Sequence, residues 1–437
     1  MWATLFSVKS LRRFLGEFRH DVRGSYAIIF GIALVPILVA IGSAVDLSQA
    51  FIVKQRLTRA LDDAGLAVGT QVGLTSAQLQ QVAQDYFDAN YPPSKLGVPG
   101  VVTVTTSGAQ IALSVAATMP TSIMGIIGVN TLNISASSQI TKMGKKLEVA
   151  LVLDNTGSMA QNNKLTTLKV AAKDLISTVS ASAVNVGDVK VAIVPFTTDV
   201  NVGTANNAAS WLKWSYSDNV TTCNWYSGCK TSVKTTTVSP SSWSGCVTDR
   251  DQSYDESASA PYSGDTATLY PADTNNSYNN YCSLQSIASL STDWSALDTK
   301  IDNMSAGGYT NTTIGMVWGA NVLLQGNPLS NAAAADPKKL DKVIVYLTDG
   351  QNTRDRWYSC GGSGTCTSID DRMDAACTYV KAQGILVYTI RVMDGNEALL
   401  KSCATSPDMY YSVTDASQLT TVFNTIAQQL SNLRVSK

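Results

Sequence analysis

Histidine is almost absent from this chain of 437 residues, in which the only histidine is His20. Beyond that position the chain cannot build a Ser–His–Asp triad or an H-E-x-x-H zinc site, because both need histidine. It also lacks the G-x-x-x-x-G-K-[ST] loop that cradles phosphates. These absences argue against histidine-based catalysis and against a phosphate-loop nucleotide site.

Charge is scarce as well, since Asp, Glu, Lys and Arg make up only 15% of the chain. The 32 basic residues nearly balance the 33 acidic ones, so no overall positive charge favours a nucleic-acid partner. Serine, threonine, asparagine and glycine are abundant. This composition is typical of an exported protein more than of a cytosolic enzyme.

A stretch without any charged residue occupies positions 24–45. As a helix it would span about 33 Å, enough for the hydrocarbon core of a bilayer. The residues before it are mainly basic: Lys9, Arg12, Arg13, Arg19 and Arg23, against Glu17 and Asp21. Positive flanks stay in the cytoplasm, so we predict a cytoplasmic tail at 1–23, a single membrane helix at 24–45 and an exported remainder. A cleaved signal peptide is the alternative, but the apolar stretch is long for one and no clear cleavage site follows.

All the cysteines lie beyond this stretch, and their even number suits disulfides in an oxidising compartment. Proximity suggests the pairs Cys223–Cys229, Cys246–Cys282, Cys360–Cys366 and Cys377–Cys403, although spacing alone cannot prove connectivity. A zinc site is the weaker reading, because the spacings differ from those of zinc ribbons and no histidine is nearby.

Residues 46–145 form the first exported region, which we expect to be a small α+β domain. Apolar residues at helical spacing over 46–72 predict that the membrane helix continues outward, and 75–90 is a second predicted helix. Three β-type runs follow, at 101–106, 109–118 and 131–141.

From residue 146 onward, apolar strands alternate with helices. The predicted strands are 147–153, 189–196, 342–348, 385–392 and 409–413, and the predicted helices are 164–181, 312–325, 370–383, 395–404 and 415–433. Continuous apolar strands separated by helices predict an α/β fold with a doubly wound, mostly parallel sheet. The segment at about 197–290 interrupts this pattern and is rich in cysteine and tryptophan, so we interpret it as a disulfide-stapled insertion. Its tryptophans form either a small core or an exposed binding surface.

Oxygen-bearing side chains follow the strands at three places. Asp154, Thr156 and Ser158 come directly after the first strand, Thr310 precedes a helix in the stretch GGYTNTTIG, and Asp349 follows the third strand. The carboxyl ends of parallel strands share one edge of a sheet, so we expect these groups to meet. Carboxylates and hydroxyls are the hard ligands that suit Mg²⁺ or Mn²⁺. Taken singly, an aspartate at a strand end, such as Asp154, is more often a turn or helix cap than a metal ligand.

The pattern D-x-[ST]-x-S, then a G-x-T-x-T-type loop, then T-D-G resembles the metal-ion-dependent adhesion site (MIDAS) of von Willebrand factor A domains. The resemblance implies that 146–437 is such a domain and that Asp154, Thr156, Ser158, Thr310 and Asp349 hold the metal. It also implies hydroxyls that bind the ion directly, carboxylates that bind directly or through water, and an open position for a partner's acidic group. The family usually has serine where Thr156 stands, and threonine keeps the hydroxyl.

Residues 23–70, with their G-S-Y-A-I start, apolar run, Val45-Asp46 and Ala-rich continuation, resemble the TadE/TadG-like proteins of tight-adherence (Flp) pilus assembly. Residues 119–140 resemble the small strand domain of that family. Pilins carry a glutamate early in the apolar segment that is missing here, which favours a permanent anchor over incorporation into a filament.

The two resemblances together imply a single-pass protein of the bacterial inner membrane, with its later domains periplasmic or surface-facing. Its expected partner is a protein that donates an acidic side chain, from the pilus or the envelope, with no nucleic acid and no small-molecule substrate. The alternatives are a minor filament subunit, a metal-dependent hydrolase and a secreted eukaryotic A-domain protein.

Overall fold

The computed structural model describes residues 23–435 except for 72–73, 93–95, 108–109, 142–144, 225–227, 275–281, 283 and 361–365. Side chains are described from 28 to 432 within these ranges, apart from 220–230. The chain divides into two compact units, Met1–Lys142 and Met143–Lys437, and each is described by itself.

The first unit combines two helices with a four-stranded sheet. Its elements are α1 (Arg23–Gly69), α2 (Ser76–Asn90), β1 (Val98–Pro99), β2 (Thr103–Ser107), β3 (Gln110–Pro120) and β4 (Thr131–Thr141). A capping box between Thr75 and Gln78 starts α2. All strand pairs are antiparallel, with β3 between β4 on one edge and β1 and β2 on the other.

Helix α1 has two different halves. Its first part exposes apolar side chains such as Ile32 and Leu38, whereas Val53, Leu57 and Leu61 are buried in the core shared with β3 and β4. Among the described residues, α1 is the one helix that is long and apolar enough to cross a membrane, judged by length and composition.

The second unit contains the larger sheet. Its strands are β5 (Lys146–Asp154), β6 (Val189–Phe196), β7 (Val200–Asn201), β8 (Leu212–Lys213), β9 (Ser215–Asn224), β10 (Gly228–Thr237), β11 (Cys246–Val247), β12 (Tyr270–Pro271), β13 (Ala288–Ser291), β14 (Leu340–Thr348), β15 (Leu386–Val392) and β16 (Tyr410–Val413). Its helices are α3 (Lys164–Ala181), α4 (Trp294–Asp302), α5 (Thr312–Leu323), α6 (Thr367–Ala382), α7 (Glu397–Cys403) and α8 (Leu419–Val435).

The strand order is β11-β7-β6-β5-β14-β15-β16, and β13 also pairs with β6. Strands β6, β5, β14, β15 and β16 are parallel, while β13 runs antiparallel. Alternate residues of β5 enter two separate cores, since Val149 packs with α3, α4 and α8, and Ala150 packs with α5, α6 and α7. Burial on both faces explains the continuous apolar run. The predicted doubly wound fold class is confirmed.

The insertion contains more regular structure than we expected. Strands β9 and β10 pair antiparallel over ten residues, from Ser215 opposite Thr237 to Asn224 opposite Gly228. The rings of Trp214 and Trp243 meet edge to face at 5.3 Å, and Trp211 packs against Trp318 of α5. These tryptophans therefore belong to, or pack against, the core on the α5 side of the sheet. Trp225 lies outside the described residues.

Three disulfides are present in the described part of the chain: Cys246–Cys282, Cys360–Cys366 and Cys377–Cys403. The last of these joins α6 to α7. Cys223 and Cys229 lie opposite each other across the β9–β10 pair, but their side chains fall outside the described residues, so that predicted pair stays a prediction.

Candidate metal site

The first loop of the site begins where β5 ends, at the buried Asp154. Its Oδ1 accepts the backbone N–H of Thr156 at 2.7 Å, which folds the turn back on the carboxylate. The hydroxyls of Thr156 and Ser158 then lie 3.1 Å apart. This short turn gathers three oxygen-bearing side chains at one strand end.

The third loop joins the first because β14 is the neighbour of β5 in the sheet. The Thr348 hydroxyl donates to Asp154 Oδ2 at 2.6 Å, and the Ser158 hydroxyl donates to Asp349 Oδ1 at 2.5 Å. Asp154 and Asp349, 195 positions apart in the sequence, are also joined directly, because the Asp349 backbone N–H donates to Asp154 Oδ2 at 3.4 Å.

The second loop, at 307–311, lies against both others. The Gly157 N–H donates to the Gly308 carbonyl at 3.1 Å. A Cβ atom at Gly157 would stand 3.3 Å from that carbonyl, so glycine allows the close approach. A Cβ at Gly350 would lie 3.3 Å from Thr310 Oγ1 and 3.7 Å from Ser158 Oγ, which places these two hydroxyls around one point. The structure therefore brings the five predicted ligands together.

The donor set fits a hard divalent cation. Two carboxylates and three hydroxyls converge, and four of these side chains are nearly inaccessible, while Ser158 is half-buried at the edge of solvent. Within the described ranges, no three His, Cys, Asp or Glu side chains form a metal cluster. A cation here would consequently depend on the hydroxyls, as Mg²⁺ and Mn²⁺ can.

Burial dominates the electrostatics of Asp154. It raises the pKa of this carboxyl to about 6, and the nearby charge of Asp349 acts in the same direction. Hydrogen bonds from Thr348 and Thr156 oppose the shift by favouring the ionised form. A cation between the two carboxylates would remove their repulsion.

Lys164 is a site residue that the sequence patterns do not indicate. Its Nζ lies 2.7 Å from Asp349 Oδ2, and the two side chains are 4% and 0% exposed. Asn162 and Asn163 take left-handed backbone conformations, with φ of 53° and 56°, just before Lys164 begins α3. This turn decides where the lysine points, and helical periodicity does not predict it.

The insertion contributes two buried aspartates beside the site, Asp199 and Asp249, which we call the acidic wall. Sequence patterns do not indicate that these residues are buried here. Asn311, which caps α5, donates through its side-chain amide to Asp249 Oδ2 at 2.8 Å. Burial, reinforced by neighbouring carboxylates, raises the pKa of both Asp199 and Asp249 well above the ordinary range. Asp199 Oδ2 has no hydrogen-bond partner within the described ranges. The acidic wall therefore contains buried carboxylates whose loss of hydration is not fully offset by hydrogen bonds.

Comparison with known families separates the two units. A sequence model of the TadE/G-like Flp pilus-assembly family matches residues 24–84, and a model of the von Willebrand factor type A domain matches residues 273–425. The second match begins after the Asp154 loop, but β5, which leads into this loop, lies between β6 and β14 in the same sheet. No curated protein matches the chain in a sequence search.

Several solved structures are similar in fold. The von Willebrand factor domain of the type V pili tip protein Mfa5 from Porphyromonas gingivalis is 11% identical, with a TM-score of 0.37, covering 66% of this chain and 95% of that one. The pilus adhesin SpaC from Lactobacillus rhamnosus GG is 12% identical, with a TM-score of 0.36 and coverage of 76% and 34%.

Proximal thread matrix protein 1 from the mussel byssus, in a structure with a zinc-occupied MIDAS motif, is 14% identical with a TM-score of 0.32. That match covers 65% of this chain and 47% of the mussel protein. The chain thus spans less than half of the length of the mussel and Lactobacillus proteins, and such distant likeness carries no argument about function. On the family matches and the observed topology, the chain carries a TadE/G-like Flp pilus-assembly segment followed by a von Willebrand factor A domain.

Proposed function

We propose that this chain is a membrane-anchored protein of pilus assembly or adhesion that binds a partner protein through a metal ion. The observation that carries the proposal is the convergence of Asp154, Thr156, Ser158, Thr310 and Asp349 at one sheet edge. The TadE/G-like match at 24–84 supports the connection with the pilus.

The hydroxyls of Thr156, Ser158 and Thr310 and the carboxylates of Asp154 and Asp349 would hold Mg²⁺ or Mn²⁺. When bound, the ion supplies a positive charge and an open coordination position for an acidic side chain of the partner. The chain itself fixes the carboxylates in place, since Thr348 donates to Asp154 and Lys164 donates to Asp349. The half-buried Ser158 marks the side from which a partner would approach.

The membrane anchor in this proposal is the first part of α1. Its charge-free segment at 24–45, the basic residues before it and its length support a single pass through the bacterial inner membrane. The basic tail would then lie in the cytoplasm, and the A domain would be periplasmic or surface-facing.

We propose a binding role and not a hydrolytic one. Metal-assisted hydrolysis needs a base to take a proton from water; in this proposal both carboxylates of the site hold the metal, and the chain's single histidine is His20, before the membrane segment. In the described site Lys164 is committed to an ion pair with Asp349. The expected ligand is therefore a protein carboxylate, with no nucleic acid and no small-molecule substrate.

A minor filament subunit is the second candidate, favoured by the exposed apolar surface of α1. Detection of the chain in sheared, purified pili would support this candidate. Its recovery from membranes alone would favour the anchor.

The test is metal-dependent binding of the detergent-solubilised full chain to purified Flp pili. We expect co-sedimentation in Mg²⁺ that is lost in EDTA and in Asp349→Asn, but kept in Asp371→Asn, whose side chain is exposed on α6. Equal co-sedimentation in Mg²⁺ and in EDTA would contradict a metal-dependent contact.

A further inference from the structure

The connection between β3 and β4 in the first unit is an apolar loop that faces outward. It comprises residues 121–130, TSIMGIIGVN, without a charged residue. Within it, Met124–Ile127 forms a 3-10 turn whose Ile126 and Ile127 are 75% and 54% exposed. Two adjacent exposed isoleucines at the tip of a turn are unfavourable in water, because burying apolar surface is worth roughly 25 cal/mol per Å².

Asp46 fastens this apolar loop to α1. Its Oδ1 accepts the N–H of Ser122 at 2.9 Å, and its Oδ2 accepts those of Ile123 at 2.9 Å and Met124 at 2.8 Å. The Asp46 side chain is completely buried by these contacts. Because Asp46 directly follows the charge-free segment 24–45, the loop is held at the end of the proposed membrane span.

The loop also packs on the apolar part of α1. A Cβ atom at Gly42 would stand only 2.0 Å from the Ile123 side chain, so glycine lets this isoleucine rest directly on the helix backbone. Ile126 and Ile123 then form one wall of a groove of about 610 Å³, and apolar residues of α1 from Val35 to Val45 form the other. Leu38 and Ile41, which belong to the second wall, are exposed.

The backbone of the loop is suited to a site without water. The N–H groups of Ser122, Ile123 and Met124 go to Asp46. Those of Thr121, Ile126, Gly128 and Val129 go to carbonyls inside the loop, at 3.0 to 3.1 Å. Non-helical backbone is tolerated at membrane depth where protein covers it, and these bonds together with the packing on α1 give partners to seven of the loop's N–H groups.

We propose that the apolar loop inserts into the outer half of the bilayer beside α1, with lipid acyl chains filling the groove. The inference rests on the membrane anchor of the proposed function and is independent of the metal site. Val35 lies 11 residues before Asp46, which corresponds to about 16 Å of helix, or about half of a 30 Å hydrocarbon core. The small domain would thus sit directly on the membrane, attached both by α1 and by the loop.

The test uses the full chain in phosphatidylcholine vesicles, with a cysteine-linked fluorophore at one position. The variants are Ile126→Cys in the loop, Ile41→Cys in the helix and Val101→Cys, which is matched to Ile126 because both are 75% exposed. The unsubstituted chain gives the labelling background. We expect quenchers on lipid acyl chains to quench Ile126 and Ile41 labels several-fold more than the Val101 label, and aqueous iodide to show the reverse order.

Three results would overturn the proposal. If the Ile126 label is quenched in the same way as the Val101 label while the Ile41 label is quenched by lipid, the loop lies in water and only the membrane anchor is supported. If both quenchers fail to reach Ile126, a protein surface covers the loop. If lipid does not quench Ile41, the anchor itself fails. Asp46→Asn serves as a second variant. Its amide has one acceptor oxygen where the carboxylate has two, so it cannot keep all three hydrogen bonds to the loop, and the Ile126 label should become more accessible to iodide.

Discussion

Lys164 Nζ lies 2.7 Å from Asp349 Oδ2, in a pair whose side chains are only 4% and 0% exposed. The other oxygen of the same carboxylate accepts the Ser158 hydroxyl. The proposed metal site therefore contains an internal cation that already neutralises one of its two carboxylates. A metal ion bound there would share Asp349 with the lysine.

Removing this lysine should destabilise the metal-free protein and increase its response to metal. We expect Lys164→Met to lower the free energy of unfolding in EDTA by about 3–5 kcal/mol, because Asp349 becomes a buried charge without a partner. Mg²⁺ should then raise the melting temperature more than in the wild type. Thermal unfolding of both proteins, with and without Mg²⁺, measures the two effects.

Lys173→Met is the matched control for this variant. Lys173 is also on α3 and pairs with Asp302 at 2.7 Å, but the side chains are 33% and 56% exposed. Exposed pairs contribute about 1 kcal/mol or less, so the control should remain close to the wild type. Equal losses in the two variants would show that the buried pair has no special role.

The hydroxyl of Thr310 should be needed for metal affinity. Thr310→Val keeps the shape of the side chain and removes one proposed ligand, so we expect Mn²⁺ to bind about tenfold more weakly or worse. Thr313→Val is the control, since Thr313 is equally buried but donates to the Ile369 carbonyl. Calorimetric titration of both variants measures the difference, and loss of affinity in the control alone would speak against the ligand assignment.

The acidic wall predicts a pH-dependent stability. Because burial raises the pKa of Asp199, the folded protein holds a proton that the unfolded chain has already released. The free energy of unfolding should therefore fall as the pH rises above the ordinary carboxyl range. Asp199→Asn removes this residue's share of the dependence and should stabilise the protein at about pH 7.5 by roughly 1–3 kcal/mol, because a buried charged group without a full set of partners becomes a neutral amide.

Denaturant unfolding at several pH values tests this prediction, with Asp218→Asn as the comparison. Asp218 lines the same cavity as Asp199 but pairs with Arg356 at 2.7 Å, so its removal should destabilise the protein. A loss of stability in Asp199→Asn at neutral pH would mean that its charge is compensated in solution.

The disulfides should differ in their contribution according to the length of chain they close. Cys246 and Cys282 are 36 positions apart, whereas Cys360 and Cys366 are 6 apart. Loop-closure entropy predicts losses of about 4 and about 2 kcal/mol when each pair is replaced by alanine. Denaturant unfolding of the two double variants measures this, and the reverse order would show that local contacts outweigh chain entropy.

Much of the A domain could be predicted from the sequence because its sheet is buried on both faces. The resulting apolar runs, such as that ending at Asp154, are visible without a structure, and parallel strands bring their ends to one edge. The contact of Ser158 with Asp349 follows from this topology.

The remaining features depend on contacts that periodicity does not encode. Lys164 reaches Asp349 because two asparagines adopt left-handed conformations before α3, and Asn311 reaches Asp249 because the insertion folds against α5. The residues of the long β9–β10 pair are mainly polar and most of one face is exposed, so their sequence predicts a loop. Strand β13 is only four residues long and pairs across a bulge, so its signal is weak.

The most direct test of the central claim is a Mn²⁺ titration of the detergent-solubilised full chain, followed by electron paramagnetic resonance of the free ion. The wild type should bind Mn²⁺ saturably, Mg²⁺ should compete with it, and both Asp349→Asn and Thr310→Val should weaken the binding while Thr313→Val does not. Binding that is the same in all four proteins, or no saturable binding by the folded wild type, would contradict a metal site formed by these residues.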